Sequence, residues 1–422
     1  MDDMVDLQSM GKRARQASRQ LAQLPSTVKD RALETIADNL HNRQDELLRA
    51  NGKDITTGQN TGLPDNILGR LLLDSTKLES IADDIRRIAA LPDPTGENYD
   101  IRTLPNGLEI SRRRTPLGVI GVIYESRPNV TIDISALCLK SGNAAILRGG
   151  KEAINSNKAL AAVVRDSIFS AGIPRDAVQF IESPDRTLVS KMLKLSGYID
   201  LMIPRGGAEL VRHVAEEATM PAVTGGIGVC HTYVDRTANE DMAVEIAYNA
   251  KTSSPYVCNA LDTLLIHTDV APTLLPKIAS RLGASNVTLN CDSRALSILG
   301  LNSSLIKAAT DLDWGHEYLS LTAAIKIVDS LDDALDHINT YGSGHTDVIV
   351  TEDHTSATRF LDIVDSSVVM VNASSRFNDG AQFGLGAEVA ISTNKTHARG
   401  PMGLQELTSY KWIVVGEGQV RN

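Results

Sequence analysis

The sequence has few aromatic residues and no long apolar run. Phenylalanine, tryptophan and tyrosine make up 4% of the 422 residues, so the cores must be built from alanine, isoleucine, leucine and valine. No window approaches 18 uninterrupted apolar residues, and no transmembrane helix is predicted. The first residues, MDDMVDLQSMGKRARQ, lack the apolar core of a signal peptide. We therefore expect a cytoplasmic protein.

Cysteine is also sparse. The four cysteines form no CxxC or metal-ligand pattern, and they are Cys138, Cys230, Cys258 and Cys291. Four cysteines in a chain of 422 residues are too few for a disulfide framework, so we expect their thiols to be reduced. His337 and His345 are eight residues apart, which fits no usual zinc spacing, so no metal site is predicted.

Basic tracts of five or more residues are absent, and the formal net charge is -10. This balance argues against a nucleic-acid surface and against attraction to anionic membranes. Small anionic ligands stay possible, because a local cluster of arginines binds them whatever the global charge. The expected partner is a small-molecule substrate.

The length predicts two or more domains. The first ~95 residues have helical spacing of apolar side chains, and Thr27 with Asp30 and Thr76 with Glu79 have capping-box spacing. The PNG turn at 105–107 then predicts a hairpin over 99–113. That hairpin is either an arm that pairs with another subunit or a surface hairpin of the same chain.

Strand and helix patterns alternate from Gly118 to Val234. Short apolar runs alternate with helical segments, and the runs are GVIGVIY, AAILRG, AVQFIE and YIDLMIP. This rhythm is typical of an α/β domain with a doubly wound parallel sheet. A second α/β unit follows, and the segment SYKWIVVG predicts a strand near the C-terminus.

Two glycine turns end strands in the first α/β unit. AAILRGGKEA brings Arg148 and Lys151 beside Gly149 and Gly150, and LMIPRGGAELV places Gly206 and Gly207 before a helix that starts near Ala208. Glycine lets a phosphate approach the backbone, and a helix N-terminus offers unpaired N–H groups. An arginine at such a strand end suits a ribose 2′-phosphate and favours NADP(H) over NAD. The alternative for Arg148 is a solvated charge at a strand end.

Cys258 is the strongest nucleophile candidate. Pro255 predicts a loop around it, and reactive thiolates are partly exposed. Cys138 and Cys230 lie in apolar contexts typical of a core, whereas Cys291 could be exposed. The alternative for Cys258 is a small packing residue. For His345, within a Gly/Ser turn, contact with a ligand and a simple turn residue both stay open.

Several long segments, in order, resemble the aldehyde dehydrogenase superfamily. They are TPLGVIGVIYESRPNVTIDISALCLKSGNAAILRGGKEA, IPRGGAELV, HTYVDRTANEDMAVEIAYNAKTSSPYVCNALDTLLIH, VDSLDDALDHINTYGSGHTDVI and HARGPMGLQELTSYKWIVVG. Within the superfamily, the chain is similar to the branch that reduces γ-glutamyl phosphate to glutamate 5-semialdehyde in proline biosynthesis. The resemblance covers nearly the whole chain.

The resemblance implies an aldehyde-dehydrogenase-like fold with three parts. Residues 1–98 and 114–230 would bind the cofactor, 231–363 would carry catalysis, and 364–388 would return to the cofactor domain. Residues 99–113 and 389–422 would form an oligomerisation arm, which implies a homo-oligomer. Cys258 would form a thioester that NADPH reduces. Glu317 aligns with a superfamily glutamate near the nicotinamide ribose.

Two departures from the family pattern bear on function. Hydrolytic members carry a glutamate base before a Gly-Gly pair, where this chain has Val223 and Thr224. Its absence suits phosphate rather than water as the acyl acceptor. Reductases often have arginine where this chain has Ser254, so another residue must bind the substrate, and the candidates are Arg127, His345, Arg376 and Arg399.

Three functions therefore stand side by side. The first is the NADPH-dependent reductase, and the lability of its acyl phosphate motivates the hypothesis of a complex with the glutamate 5-kinase that makes it. The second is a hydrolytic aldehyde dehydrogenase that uses the same cysteine, and the missing glutamate argues against it. The third is a non-catalytic scaffold, and the intact segment around Cys258 argues against it.

Overall fold

The computed structural model describes residues 5–223, 225, 227–301 and 303–421. The chain divides into two compact units. The first comprises Met1–Thr224, Gly384–Ala390 and Met402–Asn422, and the second comprises Gly225–Phe383 and Ile391–Pro401. The expected return to the first unit at residue 364 therefore occurs only at 384, because strand 368–371 is hydrogen-bonded into the sheet of the second unit. Likewise, 391–401 belongs to the second unit and not to the predicted arm.

Helices fill the N-terminal part of the first unit, as the apolar spacing predicts. They are α1 (Leu7–Leu21), α2 (Ser26–Asn42), α3 (Gln44–Asn60), α4 (Asp65–Leu71) and α5 (Ser75–Ala90). Along α2, Leu33, Ile36 and Leu40 are fully buried. Their spacing of three and four residues puts all three on one face of the helix.

Both predicted capping boxes are wrong. Helix α2 follows Pro25, which makes no side-chain cap, and in α5 the side chain of Asp74 accepts a hydrogen bond from Lys77 N at 2.7 Å. Thr27 and Thr76 each lie inside the first turn, two residues after the N-cap position. Spacing alone does not show which polar residue leaves the helical conformation.

A parallel sheet forms the centre of the first unit. Its strands are β3 (Val119–Tyr124), β4 (Ala144–Gly149), β5 (Val178–Phe180) and β6 (Leu201–Arg205), and the helices between and after them are α6 (Val130–Lys140), α7 (Ile154–Ser170), α8 (Thr187–Met192) and α9 (Ala208–Glu217). Their order is β5-β4-β3-β6. The order reverses between β3 and β6, which is the switch point where such sheets bind ligands. The doubly wound prediction is confirmed.

A three-stranded antiparallel sheet completes the first unit. The predicted hairpin is present as β1 (Asn98–Thr103) and β2 (Glu109–Pro116). The C-terminal strand, Thr408–Val415, pairs with β2 on its other side, from Thr408 against Pro116 to Val415 against Glu109. The hairpin and the C-terminal strand thus form one sheet, although they are almost 300 residues apart in sequence.

The second unit is built on a wider parallel sheet. Its strands are β7 (Cys230–Val234), β8 (Leu261–His267), β9 (Thr288–Cys291), β10 (Ile306–Ala308), β11 (Thr322–Val328), β12 (Thr346–Val350) and β13 (Val368–Val371), in the order β10-β9-β11-β8-β7-β12-β13. The helices are α10 (Glu240–Thr252), α11 (Ala271–Gly283), α12 (Ser293–Leu299), α13 (Leu331–Tyr341) and α14 (His354–Ile363). Two short strands, β14 (Ile391–Ser392) and β15 (Gly400–Pro401), pair with each other, and the C-terminal strand is β16.

Along the part of the chain that the structure describes, none of the helices combines the length and the apolar character needed to cross a membrane.

Candidate active site

Cys258 lies in the loop between α10 and β8, as Pro255 predicts. It is the half-exposed cysteine of the four, and none of them is in a disulfide. The other three thiols are buried. Burial raises the pKa of both Cys138 and Cys291 to about 12, and that of Cys230 rises well above its usual value. Cys258 is therefore the thiol best placed to react.

The predicted exposure of Cys291 is wrong. It ends strand β9, where Leu289 and Cys291 point inward and Thr288 and Asn290 are half-buried. A strand turns alternate side chains to opposite faces, so Cys291 shares the buried face of Leu289. Its sulfur fills space in the core of the second unit.

Gly228 packs directly against the nucleophile candidate. A Cβ atom at this position would lie 2.0 Å from the carbonyl oxygen of Cys258 and 2.7 Å from its Cβ. Only glycine allows the two backbones to approach this closely. The amide of Gly228 donates a hydrogen bond to Glu317 Oε1 at 3.0 Å. Gly228 therefore contacts both Cys258 and the carboxylate of Glu317. Burial raises the pKa of Glu317.

Cys230 and His345 lie behind Cys258, in the protein interior. The Cys230 thiol donates to the Cys258 carbonyl oxygen at 3.1 Å, and His345 Nδ1 is 3.8 Å from the same sulfur and 2.7 Å from Thr346 Oγ1. Burial lowers the pKa of His345 to about 4, so it is neutral at pH 7. His345 lies in the bend immediately before strand β12, as its Gly/Ser turn predicts, but its side chain is buried, with 2% of its surface exposed.

Arg376 forms hydrogen bonds with two residues of the loop that carries Cys258. Its Nε donates to Ser253 Oγ at 3.2 Å, and its Nη1 donates to Asn259 Oδ1. Asn259 is itself fixed, because its Nδ2 donates to Asn378 O at 2.9 Å and its carbonyl accepts from Ser375 Oγ at 2.6 Å. The structure thus brings a cation to the residue that follows Cys258. Asn259 and Gly228 were missed by the sequence analysis.

These groups share one edge of the seven-stranded sheet. Gly228 precedes β7, Cys258 precedes β8, Glu317 precedes β11 and His345 precedes β12. All four strands are parallel, so their amino ends meet at the same edge. The candidate site of the second unit is therefore at the amino edge of its sheet.

The other two arginine candidates are Arg399 and Arg127. Arg399 donates from Nη1 to Asp365 Oδ1 at 2.7 Å and is joined to the backbone of the same aspartate. Arg127 is half-buried between β3 and α6 of the first unit. Arg376 is thus a predicted substrate residue that contacts the loop of Cys258.

The two glycine turns of the first unit flank the end of β3. Tyr124, the last residue of β3, is paired with Gly149 on one side and with Arg205 on the other. Both turns therefore lie at the carboxyl edge of the sheet, at the switch point. This is the position at which a doubly wound sheet binds a nucleotide.

Arg148 is not a solvated charge. It is 8% exposed, and its Nη1 and Nη2 donate to the carbonyl oxygens of Gly149 and Pro184 at 3.1 and 3.2 Å. Its Nε is buried and has no partner among the described residues. Burial lowers the pKa of this guanidinium. A buried cation with an unsatisfied N–H beside a glycine turn suits an anionic ligand, and the exposed Lys151 lies three residues further on.

The turn at Gly206 and Gly207 opens helix α9. The amide of Gly207 donates to Glu125 Oε2 at 3.0 Å, and a Cβ on Gly206 would lie 2.4 Å from the same oxygen, whereas a Cβ on Gly207 would meet no atom within 4 Å. A carboxylate oxygen therefore occupies the position at which helix α9 offers its first N–H groups. The donors that surround this turn fit a phosphate, and the sequence analysis missed Glu125.

Two predicted absences remain, that of a glutamate base near residue 223 and that of a metal site. Val223 is buried and donates from its amide to Met202 O at 2.9 Å, whereas Thr224 and Gly226 lie outside the described residues. Within the described ranges, no three His, Cys, Asp or Glu side chains converge in a way that could hold a metal ion.

Comparison with known proteins places the chain among relatives. The model of the aldehyde dehydrogenase family matches residues 2–295. Gamma-glutamyl phosphate reductase of Dehalococcoides mccartyi (strain CBDB1) is 55% identical over 420 residues, which cover 99% of each chain. The protein of the same name from Escherichia coli O1:K1 / APEC is 50% identical over 98% of this chain and 100% of its own. The crystal structure of gamma-glutamyl phosphate reductase from Thermotoga maritima superposes with a TM-score of 0.95 at 41% identity, covering 99% of this chain and 100% of that one.

Proposed function

Because the chain belongs to the aldehyde dehydrogenase family, we propose that it reduces L-γ-glutamyl 5-phosphate to L-glutamate 5-semialdehyde with NADPH and releases phosphate. This is the second step of proline biosynthesis from glutamate. The observation that carries the proposal is the half-exposed thiol of Cys258. Its neighbour Asn259 accepts a hydrogen bond from Arg376, and Gly228, which packs against Cys258, donates one to Glu317. Relatives named gamma-glutamyl phosphate reductase match the chain over nearly its full length.

The thiolate of Cys258 would attack the acyl carbon of the substrate. The C–S bond forms, the C–O bond to phosphate breaks, and phosphate leaves with the electron pair, so that a thioester remains. When bound, the reduced nicotinamide supplies the hydride that the thioester needs to become an aldehyde. The backbone N–H of Cys258 would donate a hydrogen bond to the oxyanion.

Arg376 is proposed to bind the substrate. Its guanidinium is half-buried and forms hydrogen bonds with the side chains of Ser253 and Asn259, which flank the nucleophile loop. A planar guanidinium binds a carboxylate or a phosphate through two parallel hydrogen bonds. It would thus compensate for the serine at position 254. Arg127 and Arg399 are weaker substrate candidates, and enclosed His345 would support Cys230 rather than touch substrate.

The first unit is proposed to bind the cofactor. Gly149, Gly150, Gly206 and Gly207 would let its phosphates approach the backbone, and Arg148 and Lys151 would hold the 2′-phosphate that distinguishes NADP from NAD. A phosphate at the N-terminus of α9 would replace the Glu125 carboxylate on Gly207 N. In the second unit, Glu317 would bind the nicotinamide ribose.

The remaining proposals concern water, assembly and location. A buried valine at 223, in place of a glutamate base, protects the thioester from hydrolysis. The sheet of β1, β2 and β16 is proposed as a homo-oligomerisation arm, because Tyr410, Trp412 and Val414 expose about half of their surface there. Association with the kinase would protect the labile acyl phosphate. Four cysteines outside disulfides suit the cytoplasm.

The direct test is oxidation of glutamate 5-semialdehyde, the reverse reaction, with NADP+ or NAD+. We expect activity that requires phosphate, prefers NADP+ and is lost in Cys258→Ala. Cys291→Ala, a buried thiol of the same unit, is the matched control and should keep its kcat. Equal rates in phosphate-free buffer would favour the hydrolytic enzyme, and full activity of Cys258→Ala would remove the nucleophile from the proposal.

A further inference from the structure

Lys251 and Asp262 form a buried ion pair near the proposed nucleophile. Lys251, in the last turn of α10, is fully buried, and Asp262, the second residue of β8, is 2% exposed. Lys251 Nζ lies 3.9 Å from Asp262 Oδ1 and donates to Leu261 O at 2.6 Å. Buried charges are costly unless they are paired and hydrogen-bonded. The catalytic proposal gives no role to either residue.

Both carboxylate oxygens of Asp262 accept backbone hydrogen bonds from segments of the site. Oδ1 accepts from Tyr318 N at 3.0 Å, and Oδ2 accepts from Cys230 N at 3.3 Å. Tyr318 follows Glu317 in sequence, and Cys230 lies two residues after Gly228. One carboxylate therefore fixes the backbone that precedes β11 and the first residue of β7, while Asp262 itself lies four residues after Cys258.

A second carboxylate joins the same two backbones closer to the nucleophile. Glu317 Oε1 accepts from Gly228 N, and Gly228 packs against Cys258. The Cys230 thiol adds a hydrogen bond to the Cys258 carbonyl oxygen. Asp262 is thus linked to the site through two backbones. A displacement of Tyr318 would move the adjacent Glu317, and a displacement of Cys230 would move Gly228 and the contact with Cys258.

We propose that Lys251 and Asp262 are positioning residues for the reaction, which hold the Glu317 and Gly228 segments in register around Cys258. The inference rests on the proposed roles of Cys258 and Glu317. Lys251 keeps the aspartate ionised, so that it accepts from two amides at once, and its ammonium lies 5.8 Å from the centroid of the Tyr318 ring. A neutral amide at position 262 has only one oxygen and cannot accept at both places.

Ionisation of the pair supports this arrangement. Burial raises the pKa of Asp262 to about 6 and lowers the pKa of Lys251 to about 8, with each partner opposing the effect on the other. Between these values both groups carry their charges. Around neutral pH the carboxylate is therefore available to both amides.

The test compares Asp262→Asn with Asp235→Asn. Asp235 is also 2% exposed in the second unit and accepts from Tyr233 Oη and Thr351 Oγ1 at 3.0 and 2.7 Å, but it follows β7 at the opposite end from Cys230. We expect Asp262→Asn to lower kcat of phosphate-dependent semialdehyde oxidation about 10- to 100-fold with little change in KM, since small misplacements of reacting groups cost this much. Asp235→Asn should lose stability and keep its kcat.

A double variant guards against misfolding. Lys251→Met with Asp262→Asn leaves no unpaired buried charge, so its Tm should recover toward that of the native enzyme while kcat stays low. A fall in kcat below threefold in either Asp262 variant, or no larger than in Asp235→Asn, would overturn the positioning role. Retained activity of Cys258→Ala would instead show that the proposed catalysis has failed, whatever the Asp262 variants do.

Discussion

Arg376 Nε donates to Ser253 Oγ across 3.2 Å, and this hydrogen bond joins the segment after β13 to the loop that carries Cys258. The two residues are 123 positions apart in the sequence, and their contact places a guanidinium beside the segment that precedes Cys258. A distant segment thus brings a positive charge to a loop that has none of its own, since residues 253–260 contain no lysine or arginine.

Replacing Arg376 should weaken substrate binding. Arg376→Gln removes the charge and the fork of donors, and we expect kcat/KM for glutamate 5-semialdehyde to fall about 10- to 100-fold, mostly through KM. The control is Arg359→Gln, which breaks an exposed ion pair with Asp332 on another helix of the same unit. Steady-state kinetics at saturating NADP+ measures both. An effect confined to the KM for NADP+ would assign Arg376 to the cofactor.

Arg148 should discriminate between the two nicotinamide cofactors. Because the 2′-phosphate is absent from NAD(H), Arg148→Ala should raise the KM for NADPH about tenfold and leave that for NADH nearly unchanged. Arg175→Ala, which removes a half-exposed cation paired with Asp166 in the same unit, serves as the control. Equal increases for both cofactors would mean that Arg148 acts through its hydrogen bonds to Gly149 and Pro184.

Glu317 should behave differently from Arg148. The nicotinamide ribose is common to both cofactors, so Glu317→Gln should weaken NADPH and NADH alike, by about tenfold in kcat/KM. Glutamine keeps an oxygen that can accept from Gly228 N, so the backbone contact is retained. Kinetics with each cofactor in turn tests this. A preference for either cofactor in the variant would contradict the ribose assignment.

His337 should make the protein sensitive to acid. Burial, His231 and Lys326 lower the pKa of His337 to about 3 from 6.5. Below pH 6.5 the imidazole is therefore protonated in the unfolded chain but still neutral in the folded chain. The contribution of neutral His337 to the free energy of unfolding is fully present above pH 6.5 and is lost as the pH falls toward 3, by at most about 1.4 kcal/mol per pH unit. Urea unfolding of His337→Gln between pH 7 and 5 should show a shallower loss. His41→Gln, whose side chain is largely exposed, should match the native slope.

Much of the fold was predictable because short apolar runs in the sequence indicate the buried strands. Residues 119–124 and 144–149 are buried along their entire length, and such runs between helices indicate parallel strands. The alternation of Thr288 to Cys291 would have shown the burial of Cys291 by the same reasoning. The prediction of the helix N-caps was wrong because several polar residues near each helix N-terminus could serve as the cap.

The site was predictable only in part. Cys258 follows from its loop and its motif, and both glycine turns follow from strand ends. Gly228, Asn259 and Asp262 do not, because their contacts depend on which strands become neighbours. The sheet order places β8 between β11 and β7, and this brings Glu317 and Gly228 to opposite sides of the cysteine loop. No spacing within the sequence encodes that order.

The pairing of β16 with β2 has a consequence for biosynthesis. Because Thr408–Val415 supplies one edge of a sheet whose other strands end at Pro116, that sheet stays incomplete until residues 408–415 have left the ribosome. During nearly 300 residues of translation, β2 presents an unpaired edge to the cell. A chain that stops short of Thr408 by a nonsense mutation would keep both glycine turns and Cys258, yet it would carry this open edge permanently and be prone to aggregation.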